Sequence, residues 1–410
     1  MNIDERNEKG SYIMVSYSKR MDYMNGTAEV VRNLFNGMTN PDIISFTGGA
    51  PANENLPIEY MREIAQDVFT REKRGVEAFQ YGNPMGIREF RDIIARHILP
   101  KKEIHADPDG ILILTGGMEG IDLVSAVFID PGDVILVESP TFVQSLETFQ
   151  MYGARCVSVD MDEHGLDMED LERKIRTCHP KLIYTIPTFQ NPSGRTLPKD
   201  RRRAVAALAE KYDVLVLEDD PYQDLRYSGE PQLPIKSYDK TDHVIFNMSF
   251  SKNFAPGARL GYVLASKDII RRVFDAKTAT NSHTSTVNQV LCMEYIRRGY
   301  FDAHLSKMCA IYKERRDIML DCVHTFLPEG TRCVPADGGI FCWVELPERF
   351  DTRLLLTDAA KAGVAFLPGV GFFAEADGTG KNCMRCGFGN IPPEKIRTGM
   401  ERLGRLLARQ

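Results

Sequence analysis

Two cations on one short segment, Lys252 and Arg259, carry the clearest chemical signal in the sequence. They lie in SFSKNFAPGARLGY (249–262), where an apolar run delivers the lysine and a proline-glycine pair bends the chain before the arginine. A lysine at the end of a buried strand beside another cation loses part of its preference for the protonated form, so its amine can condense with an aldehyde. The guanidinium is a rigid fork of donors that suits phosphate. The pair therefore fits an amine-reactive cofactor that carries a phosphate, of which pyridoxal 5'-phosphate (PLP) is the commonest.

The alternative for Lys252 is an ordinary surface lysine, which is the usual state of this residue type. The apolar flanks, the small donors Ser249 and Ser251, and the arginine on the same loop all speak against that alternative. We therefore expect both serines to lie at the cofactor together with Lys252 and Arg259.

The elements that must position these residues form a repeated alternation of apolar runs and amphipathic helices between 110 and 266. The runs are ILILT, VILVE, RCVSV, KLIYTIP, VLVLEDD, VIFNMSF and LGYVLAS. Strands spaced by helices predict an α/β fold, with a mostly parallel seven-stranded sheet and helices on both faces. Ligands bind such sheets outside the carboxyl ends of the strands, and four chemically suggestive stretches fall there.

The first two of these stretches follow ILILT and VILVE. Gly117 and Met118 open a helix after ILILT, and a helix start points main-chain N–H groups at an anion. Many strand-to-helix turns nevertheless use glycine for geometry alone. Phe142 follows VILVE and suits either stacking on a ring or ordinary helix packing.

The next strand ends carry an amide, two carboxylates and a phenol. Asn191 and Pro192, after KLIYTIP, mark a tight turn in which a cis peptide is an open alternative. Asp219 and Asp220 end VLVLEDD, and a carboxylate at the end of a buried strand needs a partner because a bare buried charge is costly. Tyr222 follows three residues after Asp219.

The lysine segment and the phrase DDPY closely resemble fold-type I PLP enzymes, in particular class I/II aminotransferases of the aminoadipate and kynurenine aminotransferase group. The resemblance runs from the loop FTGGAP to the last helix. It implies the PLP-transferase type I fold, and we predict a large PLP-binding domain at 46–296. A smaller α+β domain would combine 297–410 with the N-terminal arm and helix of 1–45.

The resemblance also implies a role for each residue of the site. Lys252 would bind the cofactor and move the substrate's α proton, with Asp219 at the pyridine nitrogen and Tyr222 at the phenolic oxygen. The implied cofactor contacts are Gly117, Met118, Phe142, Asn191, Asp219, Tyr222, Ser249, Ser251, Lys252, Arg259 and, from the neighbouring subunit of a homodimer, Tyr81. The implied substrate contacts are Gly49, Asn191 and Arg385, with Arg20 on the N-terminal arm as a candidate for the far end of the substrate. Gly117 and Met118 stand where the family usually has serine and glutamine, so main-chain donors alone would hold the phosphate there.

Composition excludes several other classes of protein. A net charge of -6 argues against a nucleic-acid binder, and the arginine run 201–203 fits a solvated helix face. The polar start and the lack of a long apolar run predict a cytoplasmic protein without a membrane span. Nine cysteines, an odd number, predict reduced thiols, and we expect the lone CxxC at Cys383 and Cys386 to be two packed thiols without a metal.

The predicted activity is a PLP-dependent transfer of an amino group between an L-amino acid and a 2-oxo acid. Two alternatives stay open. One is a PLP-dependent β-lyase or decarboxylase that uses the same lysine. The other is a non-enzymatic effector-binding module like those fused to winged-helix regulators. The short N-terminal region counts against this alternative, because it has no room for a DNA-binding domain.

Overall fold

The structure is a computed structural model that describes residues 16–23, 42–375 and 377–410. The helices are α1 Lys19–Tyr23, α2 Ile58–Val68, α3 Gly75–Phe79, α4 Arg88–Ile93, α5 Gly117–Phe128, α6 Val143–Met151, α7 Met168–Cys178, α8 Lys199–Tyr212, α9 Lys267–Thr280, α10 Thr286–Arg297, α11 Tyr300–Phe326, α12 Leu356–Lys361 and α13 Pro393–Leu407. The strands are β1 Ile44–Ser45, β2 Ile111–Leu114, β3 Val134–Glu138, β4 Arg155–Val159, β5 Met161–Asp162, β6 Gly165–Leu166, β7 Leu182–Thr185, β8 Leu215–Asp220, β9 Val244–Ser249, β10 Gly261–Leu264, β11 Arg332–Cys333, β12 Phe341–Glu345, β13 Val364–Ala365, β14 Leu367–Pro368 and β15 Cys383–Gly387. Residues 28–38 (AEVVRNLFNGM), the helix predicted with the N-terminal arm, lie outside the described residues.

A seven-stranded sheet forms the centre of the fold, in the order β2-β10-β9-β8-β7-β3-β4. The five strands from β9 to β4 are parallel, and β10 runs antiparallel to both of its neighbours. All seven apolar runs form strands of this sheet, so the predicted α/β fold with a mostly parallel sheet is confirmed. Residues of β2, β3, β7, β9 and β10 are buried at every position, which is why these strands appear in the sequence as continuous apolar runs.

Helices cover both faces of the sheet. In β3, Ile135 and Val137 belong to the apolar cluster that includes residues of α5 and α6. The alternate residues Val134 and Leu136 belong to another cluster with residues of α7 and α8. The period of two along a strand places the two pairs on opposite faces.

A second, antiparallel sheet has the order β11-β12-β15-β14 and lies with the long helix α11 and the last helix α13 in the C-terminal part of the chain. It is the predicted α+β unit. The segment just before the glycine loop is tied to this unit, because Phe46 N donates to Ala365 O (2.7 Å) and Gly387 N donates to Phe46 O (2.8 Å). The division at 46–296 remains our proposal.

One prediction about the surface is wrong. The arginine run 201–203 does not form a solvated face throughout, because Arg202 on α8 is 0% exposed. Its guanidinium donates to the carbonyl oxygens of Leu197 (2.7 Å) and Pro187 (2.6 Å), which lie in the loop before the helix. A buried guanidinium is tolerated where its donors meet acceptors in this way.

Two further observations concern the chain as a whole. No helix in the described part of the chain combines the length and the apolar character that crossing a membrane requires. Cys383 and Cys386 are free, buried thiols on β15, so the prediction of two packed thiols is confirmed.

Candidate active site

Asp219 lies at the carboxyl end of β8 and is 4% exposed. The Tyr184 hydroxyl donates to its Oδ2 (2.9 Å) and Asn247 Nδ2 donates to its Oδ1 (2.9 Å). Burial raises the pKa of Asp219 to about 7, and the two donors oppose that rise because they favour the anion. None of the described residues contributes a positive charge to this carboxylate. The site therefore lacks the cation that a buried Asp219 needs.

Sequence reasoning missed Tyr184 and Asn247. Asn247 on β9 is the register partner of Asp219, and Tyr184 comes from β7 on the other side of β8. A signal was present, because each is a polar residue within an otherwise apolar run, and a buried polar group needs a partner.

We predict that Tyr184→Phe weakens PLP binding without abolishing it. The substitution removes one of the two hydrogen bonds to Asp219, and a net loss of about 1 kcal/mol corresponds to an about fivefold higher dissociation constant. Titration of the cofactor-free protein with PLP measures it. Tyr262→Phe is the matched control, because the buried Tyr262 hydroxyl has no hydrogen-bond partner among the described residues. Equal PLP affinity in the two variants would show that the Tyr184 hydroxyl does not contribute to PLP binding.

Lys252 follows the end of β9, and its Nζ donates to the carbonyl oxygen of Gly49 (2.6 Å). Burial lowers the pKa of Lys252, and the charges of Arg385 and Arg259 lower it further, to about 8. A Cβ at Gly49 would lie 2.6 Å from Phe341 Cζ, so the Phe341 ring would have to shift to admit a side chain there. The predicted pairing of Lys252 with a second cation thus involves two arginines, one from each sheet region.

The lowered pKa predicts the pH dependence of cofactor capture. Only the neutral amine attacks an aldehyde, so the rate at which the cofactor-free protein captures PLP should rise with pH and level off above about 8 rather than near 10.5, the ordinary lysine value. Stopped-flow absorbance at fixed PLP concentration measures the rate. A profile that keeps rising to pH 10 would mean that Lys252 is an ordinary lysine.

Arg385 lies on β15 and is 3% exposed. Its Nη1 donates to Asn191 Oδ1 (2.9 Å), and its Nη2 donates to Thr47 O (2.7 Å). The guanidinium carbon stands 4.2 Å from the Phe341 ring centre and 5.3 Å from that of Phe372. Burial lowers the pKa of Arg385 to about 10, and no carboxylate of the described residues pairs with it. A carboxylate from outside the chain would supply the missing ion-pair partner of the Arg385 guanidinium.

Asn191 joins Arg385 to Tyr222. The Asn191–Pro192 peptide is cis, which settles the alternative left open by the sequence. The Asn191 side chain is within hydrogen-bonding reach of the Tyr222 hydroxyl, and burial raises the pKa of that hydroxyl. Tyr222 therefore stays protonated at neutral pH and is available as a donor.

A cradle of small residues and hydroxyls lies beside these groups. Gly116 precedes α5 with φ +85°, and a Cβ there would lie 2.5 Å from Arg259 Nη2. Arg259 also donates to Ser251 Oγ (3.5 Å), which accepts from Ser249 Oγ (3.0 Å). A Cβ on Gly117 would lie 3.1 Å from Ser249 Cβ. The start of α5, two hydroxyls and one guanidinium thus converge, as an anion site requires.

Four predicted site residues have other surroundings. Met118 and Phe142 are half-buried and pack against the main apolar cluster. Tyr81 is 90% exposed, with its ring 5.8 Å from that of His283. Arg20 stands 5.7 Å from the Tyr152 ring, at the opposite end of α6 from Phe142, so the single chain does not bring it to Lys252.

The neighbour of Asp219 has a different environment. Asp220 is 3% exposed, so it is buried as deeply as Asp219. Lys102 Nζ lies 3.6 Å from Asp220 Oδ2 and 3.1 Å from Asp224 Oδ1. Strand alternation turns the two neighbouring aspartates to opposite faces of the sheet.

The residues present fit PLP. Among the described residues, Asp219 meets no cation and Arg385 meets no carboxylate, and Lys252 near Arg385 is an amine of lowered pKa. The cradle at Gly116 offers donors for a phosphate. When bound, PLP supplies an aldehyde that bonds to amino groups and a ring that accepts the electrons released at the α-carbon of the substrate.

Known proteins resemble this chain along nearly its whole length. Residues 41–403 match the family described as Aminotransferase class I and II. The chain is 40% identical over 381 residues to the aromatic-amino-acid aminotransferase 1 of Thermococcus litoralis, a match that covers 92% of this chain and 90% of that protein. It is 34% identical over 384 residues to the 2-aminoadipate transaminase of Thermus thermophilus, covering 93% and 94%. The crystal structure of Pyrococcus horikoshii kynurenine aminotransferase in complex with PMP has a TM-score of 0.90 at 37% identity, covering 96% and 97%.

These relatives favour transamination over the lyase or decarboxylase alternative, and an enzyme over the effector-binding module. The match also confirms the predicted fold and the predicted cofactor. The chain belongs to the class I and II aminotransferases and is a PLP-dependent enzyme that transfers an amino group between an amino acid and a 2-oxo acid.

Proposed function

We propose that this aminotransferase acts on L-amino acids with a large side chain and uses Lys252 as both the cofactor-binding amine and the proton carrier. The single observation that carries the role of Lys252 is its position: a half-buried amine after the end of a sheet strand, with a pKa lowered to about 8 by burial and by the charges of Arg385 and Arg259. The relatives named for aromatic amino acids, kynurenine and 2-aminoadipate support the substrate class.

The other residues divide between the cofactor and the substrate. Asp219 would keep the pyridine nitrogen protonated, and Tyr222 and Asn191 would donate to the phenolic oxygen. The phosphate would be held by Arg259, Ser249, Ser251 and the main chain of Gly117 and Met118, and Phe142 would lie against the ring. Lys252 Nζ takes the α proton of the substrate, a step for which its pKa near 8 is suited because both protonation states are populated at neutral pH.

The substrate's α-carboxylate would be held by Arg385, with Asn191 and the glycine loop at Gly49 beside it. The stacked guanidinium is fixed between two phenylalanine rings, so it presents its donors without loss of side-chain freedom on binding. Arg20 stays our candidate for binding the far end of the substrate. It would do so at a site other than that of its own chain.

We predict that Arg385→Lys raises KM for the amino acid and for the 2-oxo acid alike, by about 10- to 100-fold, because a point charge replaces a two-point contact. The PLP absorption spectrum should stay unchanged, since Arg385 meets the substrate and not the ring. Initial rates at varied amino acid and 2-oxo acid concentrations measure KM. An unchanged KM would place the carboxylate elsewhere.

A substrate panel tests the proposed activity. Phenylalanine, tyrosine, kynurenine, 2-aminoadipate, leucine and alanine would each be mixed with the PLP-loaded enzyme and 2-oxoglutarate, and glutamate formation followed. We expect the large amino acids to give the highest kcat/KM. Release of ammonia or carbon dioxide without glutamate would support the lyase or decarboxylase alternative instead.

We also propose that the enzyme is a homodimer in which Tyr81 of one subunit reaches the cofactor phosphate of the other. The exposure of Tyr81 supports this, because a tyrosine that is 90% exposed in a single chain is available to a partner. Exposed Ile58, Val76 and Phe79 on the same part of the chain add an apolar surface. A cytoplasmic location stays a prediction from the sequence.

Mixed dimers test this arrangement. Tyr81→Ala and Lys252→Ala chains, each of low activity alone, would be co-expressed and the mixed dimer isolated through different tags. If Tyr81 acts across the interface, one site of each mixed dimer has both residues and activity returns. A mixed dimer as inactive as its parents would show that Tyr81 serves its own chain.

A further inference from the structure

A cavity of about 670 Å³ lies apart from the catalytic residues. Its walls come from the end of α4 and the π and 3-10 helical turns that follow it (93–102), the loop after β8 (223–232) and the junction of α10 with α11 (296–305). None of the described residues that surround Lys252 lines it. The volume is sufficient for a small organic molecule.

The cavity combines an apolar wall with one incompletely paired cation. Ile98, Phe301 and Leu305 contribute apolar surface. The charged lining residues are the cations Lys101, Lys102, Arg226 and Arg297 and the acids Asp224 and Asp302. Lys101 is paired with Asp302, Lys102 with Asp224 and Asp220, and Arg297 with Glu89 and Glu294. Arg226 is thus the lining cation that is left for an anion, and the apolar wall favours an anion with a hydrophobic body.

Arg226 is the lining cation without a close carboxylate partner in the described part of the chain. Its nearest carboxylate oxygen, on Asp337, is 4.0 Å away, and its Nη1 donates to Ser228 O (3.1 Å). Its Nη2 is buried and has no hydrogen-bond partner in the described part of the chain. The guanidinium stands 4.6 Å from the Phe189 ring. Because one donor is unused, Arg226 gains an interaction when it turns toward an anion in the cavity.

The cavity wall is connected to the catalytic lysine. Lys102 donates to Asp224 Oδ1 (3.1 Å), and Asp224 Oδ2 accepts from Asn253 Nδ2 (2.7 Å). Asn253 follows Lys252 in the chain. Lys102 also pairs with Asp220, the neighbour of Asp219, at 3.6 Å. An anion that attracts Lys102 would therefore pull on contacts adjacent to both Lys252 and Asp219.

We propose that this cavity is an effector site for a small organic anion with an apolar body, and that its occupancy changes turnover through the contact between Asp224 and Asn253. The site is separate from the substrate-binding residues, so the proposal does not depend on which amino acid the enzyme uses.

The probe is 1-anilinonaphthalene-8-sulfonate, an apolar anion whose fluorescence rises on binding, titrated into the PLP-loaded enzyme. We expect one site per chain, at least tenfold weaker binding in Arg226→Met and none in Leu305→Trp, which fills the cavity. Leu320→Trp is the matched control. It makes the same substitution in another cavity, of about 550 Å³, which Leu320, Val323 and Leu327 line without a lysine or arginine.

Three outcomes decide the binding claim and one decides the coupling. Displacement of the probe by saturating 2-oxoglutarate, loss of binding in Leu320→Trp, or equal binding in Arg226→Met would each overturn the site. Saturating probe should change kcat at least twofold in the unmodified enzyme and leave kcat of Leu305→Trp unchanged. An unchanged kcat with the cavity filled would overturn the effector role. The binding measurements need no turnover, so failure of the proposed activity would be recognised separately.

Discussion

Lys252→Ala should lower the rate of transamination by at least about 10³-fold, because it removes the amine that binds the cofactor and the group that moves the α proton. The variant should still bind PLP weakly, since Asp219, Arg259 and the start of α5 remain. Steady-state assays with an amino acid and 2-oxoglutarate measure the rate, and equilibrium dialysis measures the retained cofactor.

Two control variants separate the amine from the charge. Lys252→Arg keeps a cation but cannot condense with an aldehyde, so it should be as inactive as Lys252→Ala. Lys240→Ala removes an exposed lysine far from the sheet end and should leave the rate unchanged. Near-normal turnover in either Lys252 variant would defeat the assignment.

Asp219→Asn should lower kcat by about 10²- to 10³-fold, the usual effect of removing one preorganised charge from an active site. The amide has the shape of the carboxylate, but it cannot hold a proton on the pyridine nitrogen by charge. Without that positive ring the electrons released at the α-carbon are not stabilised. PLP should also bind more weakly, because the ion pair at the ring is lost.

Asp220→Asn is the matched control for this change. Both aspartates are buried at the end of β8, but Asp220 pairs with Lys102 and not with the catalytic cluster. Asp220→Asn should lower the thermal midpoint and leave kcat within a few-fold of the original. Asp219→Asn should lower kcat and leave the thermal midpoint nearly unchanged. Equal loss of kcat in both variants would mean that a disturbed end of β8 lowers kcat, and not the loss of a charge at the pyridine ring.

The positions of the functional residues at successive strand ends could be predicted from the sequence. The contacts between neighbouring strands could not. Parallel strands are buried on both faces, so each appears as an apolar run whose end is visible in the sequence. Asp219 and Lys252 stand at such ends. The hydrogen bonds from Tyr184 and Asn247 depend on which strands are neighbours, and the sheet order β7-β8-β9 is not contained in any local pattern.

Burial of single charged residues was also beyond local sequence patterns. Arg202 reads as part of a charged helix face, yet its partners are carbonyl oxygens supplied by a loop that folds back on α8. Arg385 needs Phe341 and Phe372 from other segments to form its pocket. The predicted role of Tyr81 depends on a second subunit. No pattern within one chain indicates that role, so it could be predicted only from the resemblance to the family.

The central claim is that a covalent bond joins PLP to Lys252, and peptide mapping tests it most directly. The PLP-loaded enzyme would be reduced with borohydride, which makes the bond between lysine and cofactor permanent, then digested and analysed by mass spectrometry. We predict one phosphopyridoxyl group per chain, on Lys252. A label on another lysine, or no label at all, would contradict the account.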